Sequence, residues 1–402
     1  MVRQGYDEEF EIYGEENEED LLIENLDVFN QAVIWGTDWT TETIVSQLRK
    51  GNIDLNPKFQ RRDAWDDHDK SRLIESLILG LPVPPIILAE RKDEKNKYIV
   101  IDGKQRLLSL RQFSSKQDEH LFNTLILKDM QFLKSLNGKT FSDIESSIEY
   151  SQFRTQYENQ TIRTVVIKNW PNEKFLYSVF LRLNTGSKKL SPQELRQALH
   201  PGMFLDFLDE ATGNSNMFRK ILRNENADPR MRDIELALRF YAIKYNITNY
   251  RGNLKEFLDD TCKLLNSRWI NKKLEIEMGF GNLEKAIQFT MEIFGEKDAF
   301  SRWKTNKYSS RFNRALYEVF TYYFAFSEIR DLVIQRKDLF LQKFECLNDT
   351  DSQFIDSISS TTKDIGKTVY RFDCIYRIIK ELFDDVTIPR FQLHDGRIEI
   401  VE

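Results

Sequence analysis

An apolar run, Tyr98-Ile99-Val100-Ile101, passes without a spacer into Asp102-Gly103-Lys104-Gln105-Arg106 and then into Leu107-Leu108-Ser109-Leu110. The first four residues read as a buried strand and the last four as the opening of a helix. A chain that changes from buried strand to helix within five residues must lay a helix on a sheet, so this region is an α/β layer. The surrounding text agrees. Leu81-Pro82-Val83-Pro84-Pro85 is a rigid connector feeding a second short buried strand, Ile86–Ala89. Further strands are expected at Phe122–Leu127 and Thr161–Ile167, and helices after Thr40, over Asp69–Gly80 with Gly80 as the stop, at Phe141–Tyr150 and at Glu173–Leu183.

From Asn172 to about Leu382 the apolar spacing is almost wholly helical, as in Leu254-Phe257-Leu258-Thr261 and Leu316-Val319-Phe320-Tyr323. Alternating apolar positions in Thr387–Val401 add a strand at the tail. The expected fold class is α+β, a small mixed-sheet domain followed by an all-helical one. The boundaries fall at 1–38 for an acidic lead, 39–170 for the α/β domain, 171–385 for the helical domain and 386–402 for the tail.

A length of 402 residues supports two or three such units. Residues 1–24 hold ten acids against one base. Of the chain's 64 acids and 58 bases, the other 378 residues therefore keep 54 and 57. The lead reads as a solvated, partly disordered arm, and the body's near-neutral charge does not by itself announce nucleic acid. No apolar run approaches the roughly 18–20 residues that span a bilayer, and no secretory signal opens the chain. Cys262, Cys346 and Cys374 lie far apart without a CxxC, which fits a reducing cytoplasm and neither a disulfide framework nor a zinc site. Four histidines with no HxH or HExxH spacing speak against a histidine-built metal centre.

Chemistry concentrates at the strand-to-helix turn. The first amides of a helix and its positive dipole end form an anion site, and Gly103 lets backbone approach a phosphate closely. Lys104 and Arg106 add charge, Gln105 can donate to a phosphate oxygen, and Asp102 can hold a divalent cation. A plain structural account stands beside this one, because Asp102 could simply cap the helix and Asp-Gly is a common hairpin turn. Two loops add polar groups: Phe59-Gln60-Arg61-Arg62 before Trp65, and Asn184-Thr185-Gly186 at a helix end. Ser191-Pro192-Gln193-Glu194 reads as a complete capping box, which makes Ser191 a structural residue. Arg302-Trp303-Lys304 and Arg311-Phe312-Asn313-Arg314 set bases beside aromatics, as nucleic-acid grooves do and as solvated helix faces do more often.

The pieces are distinctive in their order. Asp54-Leu55-Asn56-Pro57, Phe59-Gln60-Arg61, Leu73-Ile74-Glu75-Ser76, Gly80-Leu81-Pro82, Asp102-Gly103-Lys104-Gln105-Arg106, Arg182-Leu183-Asn184 and Ser191 with Glu194-Leu195-Arg196 resemble the DUF262 family across about Thr40–His200. That family has a ParB/sulfiredoxin-like domain with a DGQQR motif and a helical region behind it. It includes the nucleotide-dependent half of GmrSD-type restriction enzymes and relatives in phage defence. The late Arg371-Phe372 is of the kind seen in stand-alone members.

The resemblance implies a nucleoside triphosphate bound at the turn and hydrolysed with Mg²⁺ or another divalent cation, in a cytoplasmic system acting against foreign DNA. Asp102, Arg106 and Arg61 are then the catalytic residues, with Asp102 also the metal ligand. Gly103, Lys104, Gln105, Gln60, Asn184 and Thr185 bind the nucleotide. DNA and a partner nuclease or defence subunit are the implied partners, and no membrane is. Two departures stand out. Lys104 occupies a position where the family's motif has Gln, and no histidine cluster supplies an HNH nuclease, so cleavage by this chain alone is not expected. The alternative reading is a non-enzymatic module that senses nucleotide or DNA and recruits an effector. A third, a nuclease using Asp102 with Glu75 or Asp63, requires those carboxylates to converge.

Overall fold

The computed structural model describes residues 31–55, 63–115, 122–183, 191–359 and 364–401. Among these the chain divides into two compact units that part between Leu199 and His200, with Pro229–Met231 counted in the first.

The first unit begins with strand β1 (Val33–Thr40) and helix α1 (Thr41–Arg49), whose N-cap Thr40 accepts from the Thr43 amide. Helix α2 (Asp67–Ile78) is capped by Asp66 and closed by Leu79, and Gly80 follows at φ +70° as the stop. Then come β2 (Ile86–Glu90), β3 (Tyr98–Asp102), α3 (Lys104–Phe113), α4 (Phe141–Ser146), α5 (Ser151–Asn159) and β4 (Thr161–Lys168). Helices α6 (Glu173–Leu183) and α7 (Pro192–Leu199) complete the unit.

The four strands form one mixed sheet in the order β1-β4-β2-β3. β4 runs antiparallel to β1, with Val33 opposite Lys168 and Thr40 opposite Thr161, and parallel to β2, with Ile86 opposite Thr164. β2 and β3 are antiparallel, and their register shifts between Ile87 and Leu88. One core joins Ile87, Ala89, Ile99, Ile101 and Ile167 of the sheet to Phe175, Leu176, Tyr177 and Phe180 of α6 and Leu195 of α7. The helices at 173–199 thus cover the sheet, although the sequence reading assigned them to the helical half.

Two sequence expectations change here. Phe122–Leu127 is not a strand. It is irregular backbone tied by bonds from Leu125 N–H to Gln112 O and Leu127 N–H to Lys139 O, with Phe122, Leu125 and Leu127 buried. Its alternation reports burial without a ladder. Conversely, residues 33–38, assigned to the acidic lead, are edge strand. Val33, Ile34 and Trp35 are all exposed, so no alternation marks them.

The second unit is mostly helical: α8 (Met203–Asn214), α9 (Asn216–Leu222), α10 (Arg232–Asn246), the 41-residue α11 (Leu254–Phe294), then α12 (Arg314–Phe324), α13 (Ser327–Val333), α14 (Lys337–Thr350), α15 (Ser352–Ser359) and α16 (Ile365–Leu382). It is not wholly helical. Hairpins β5 (Ser301–Lys304) with β6 (Lys307–Phe312), and β7 (Arg390–His394) with β8 (Arg397–Val401), interrupt and end it. The second of these supplies the strand expected in the tail. Aromatic side chains knit the interior, with Phe294 meeting Phe320, Phe340 and Phe344, and Phe372 meeting Tyr322 and Phe391. A buried ion network runs among them. Arg239 donates to Glu235 and Glu318, Arg371 Nη2 to Glu318 Oε2 at 2.7 Å, and Arg314 Nη2 to Glu235 Oε2 at 3.3 Å. The Arg371-Phe372 pair therefore serves as a structural joint.

Candidate functional site

The strand-to-helix turn forms as its residue types dictate. β3 ends at Asp102, Gly103 takes φ +100° and ψ 12° as the N-cap, and α3 starts at Lys104 with no side-chain cap. The positive φ favours glycine at 103, and a Cβ there would stand 3.2 Å from Ile86 Cγ1 and 3.3 Å from Arg106 Nη2, so those side chains would have to give by a few tenths of an ångström. Of the two structural alternatives, neither a hairpin nor an Asp102 side-chain cap is present.

Each side chain of the turn has an assigned direction. Arg106 Nη2 donates to Asp102 Oδ2 and to the Pro85 carbonyl, both at 2.9 Å, so the rigid proline connector and the strand end hold the guanidinium together. Its Nε is buried and has no hydrogen-bond partner among the described residues. Lys104 is turned away. It is 5% exposed, and its Nζ lies 2.6 Å from Glu194 Oε1. The other oxygen of Glu194 accepts from the Ser191 amide at 2.7 Å while Ser191 Oγ accepts from the Glu194 amide at 3.1 Å, the capping box expected at α7. A single carboxylate thus ties the turn to α7. Gln105, with its amide oriented to suit its neighbours, donates to Asp63 Oδ1 at 2.7 Å and accepts from the Ala64 amide at 3.3 Å. Asp63 also pairs with Lys70 and accepts from the Trp65 amide.

The structure therefore brings Asp102, Gly103 and Arg106 together and directs Lys104 and Gln105 into the scaffold. Gln60, Arg61, Asn184 and Thr185 lie outside the described residues. Glu194 was not in the expected site, and Asp63 was expected only as a carboxylate of the nuclease alternative. The signal for Glu194 was the capping box, which places its backbone but not its second oxygen. Glu75 is buried and accepts from the amides of Gln131, Phe132 and Leu133, so it pins a loop. With Asp63 also bound to Lys70 and Gln105, the carboxylate-nuclease arrangement of Asp102 with Glu75 or Asp63 has no support.

Elsewhere in this unit Asp66, His68 and Asp69 bring ligand atoms within 4.8 Å of one another at the start of α2. The Asp69 amide on Asp66 holds that carboxyl below its ordinary range, as an N-cap should be. A roomier cavity of about 440 Å³ opens at the far end of α3, where Ser114 and Ser115 meet Arg49, Arg154, Phe141 and Tyr157. In the second unit, burial pushes the Cys374 thiol up to about 12, which removes it as a nucleophile at neutral pH. The two basic-aromatic strings fall on and beside the first hairpin. Trp303 Nε1 donates to Asp349, and Arg314 is buried in the ion network. Among the described residues no helix is long and apolar enough to cross a membrane.

Residues 41–201 match the family model of the GmrSD restriction endonuclease, N-terminal domain. The chain carries a GmrSD N-terminal domain. The match starts at the first residue of α1 and ends two residues past α7, so it takes in the first unit from α1 to α7 and leaves out β1 and Pro229–Met231. No curated protein and no solved structure matches the chain. The GmrSD domain connects the protein to DNA restriction and so to defence against phage.

Proposed function

We propose that the GmrSD domain binds a nucleoside triphosphate at the Asp102–Arg106 turn and hydrolyses it with a divalent cation, in the service of DNA restriction. The observation that carries the reading is the left-handed Gly103 opening α3 beside an Arg106 already aimed by Asp102 and Pro85. The amides of residues 104–106 begin the helix and lack the i−4 carbonyls that later amides use, so they can face an anion. Arg106 keeps further donors on its guanidinium and can grip phosphate oxygens while Asp102 fixes its plane. Lys104 contributes its amide. Its ammonium neutralises Glu194 and so holds the turn against α7.

The residues fit a divalent ion in one respect. Asp102 is a part-exposed carboxylate at the strand end with one oxygen engaged by Arg106, and Mg²⁺ commonly takes one or two carboxylates beside substrate phosphates. Asp102 would hold such an ion, which supplies charge neutralisation of the phosphates when bound. Arg61, outside the described residues, is assigned to the charge that develops on the departing phosphate, and Gln60, Asn184 and Thr185 to the nucleotide.

Turnover with Mg²⁺ and each of the four NTPs tests this. Removing one contact to developing charge costs about 2.7–4 kcal/mol, so Arg106→Ala is expected to lower kcat by at least about a hundredfold. Parent-like turnover in Arg106→Ala and in Asp102→Ala contradicts the assignment. Tight binding without phosphate release selects the sensing module that recruits an effector.

A further inference from the structure

The long helix α11 carries an apolar ridge that its own unit does not cover. Ile270, Leu274 and Met278 are 86%, 75% and 70% exposed and fall every four residues, on one line along the helix. The opposite face is spent on the core, where Leu265, Ile276 and Leu283 are buried. Met203, also exposed, sits at the start of α8, whose Phe204 amide donates to Asn266 one turn before Ile270, so the patch extends past the helix at that end. A row of large side chains this exposed on a rigid helix marks a docking face.

The charges around the ridge say what covers it. From Lys263 to Lys273 every ionisable residue is basic (Lys263, Arg268, Lys272, Lys273), and from Glu275 to Glu284 every one is acidic (Glu275, Glu277, Glu284). Leu274 is the boundary. Such a segment is complementary to itself when reversed: an antiparallel copy lays its acidic half on the basic half, whereas a parallel copy sets like on like. We propose that a second copy of this chain docks on the Ile270–Met278 ridge, antiparallel, with a two-fold axis at Leu274.

Ile270 then meets Met278 of the second copy, and Leu274 meets itself. This is the isologous contact that closes a dimer and leaves no open surface for growth. Lys273 now lies 3.7 Å from Glu277 within one helix, and Lys272 2.6 Å from Glu275. These are exposed pairs along a single helix and contribute little, so Lys273 can exchange its Glu277 for that of the other copy at small cost.

Sedimentation velocity on the full chain at micromolar concentrations reads the result. The parent is expected to be a dimer and Leu274→Lys a monomer, with unchanged circular dichroism because the substituted side chain is exposed. Lys273→Glu makes the segment less complementary and weakens association by about tenfold, and adding Glu277→Lys restores it. In a Cys346→Ser background, Leu274→Cys is expected to oxidise to a cross-linked dimer. A parent that stays monomeric, a dimer that survives Leu274→Lys, or a charge exchange that fails to restore association overturns the proposal.

Discussion

Lys104 illustrates how a residue can be read correctly for charge and wrongly for direction. Its position after Asp102-Gly103 invites a phosphate, yet its ammonium is buried against Glu194, ninety positions on in the sequence. Spacing along a chain does not reveal a partner that distant, and the capping box that fixes α7 says nothing about the second oxygen of Glu194. Because both groups are buried, removing one leaves the other uncompensated. Glu194→Ala is expected to destabilise the first unit by about 3–5 kcal/mol in urea unfolding, and to do so more than a paired apolar replacement of Lys104 and Glu194. An effect on nucleotide turnover with stability unchanged contradicts this structural role. Arg302 and Arg314 likewise have partners that their local sequence does not reveal. They find Ser359 and Glu235, again far away in sequence.

Among elements, those with local signals were legible. α2 stops at Gly80, α6 spans the expected residues, and the turn from β3 to α3 lies where the apolar run meets Asp102-Gly103. The backbone there depends on glycine at +100°, a conformation that costs an L-residue about 1–2 kcal/mol. Gly103→Ala is expected to lower stability by that amount and to weaken nucleotide binding, measured by urea titration and by calorimetry. A neutral substitution would show that the left-handed turn is not needed. Two strand elements were not legible. β1 exposes most of its side chains and is held by its ladder to β4, and the β5–β6 hairpin sits in text with helical spacing. Register with a strand some 130 residues away leaves no mark on composition.

At the scale of the whole molecule, the two-part α+β arrangement was readable because the apolar period changes along the chain. The boundary near Leu199 was not, since α6 and α7 have helical spacing but serve the sheet. The second unit holds its own pH dependence. Burial opposes charge on Asp228, but the Arg232 guanidinium and amide outweigh it and hold the carboxyl below its ordinary range. A depressed folded pKa means that the unfolded chain binds the proton more readily. The contribution is therefore complete above the unfolded value of about 3.9 and is lost as pH falls through the lower folded one. Asp228→Asn is expected to unfold more easily at pH 6 and to lose less stability than the parent between pH 4 and pH 2; equal losses contradict the pairing. Triphosphate binding where β3 becomes α3 is tested by hydrogen exchange on the full chain with and without NTP and Mg²⁺. Slowed exchange of the amides of residues 103–106 is predicted, and unchanged exchange there with protection elsewhere would contradict it.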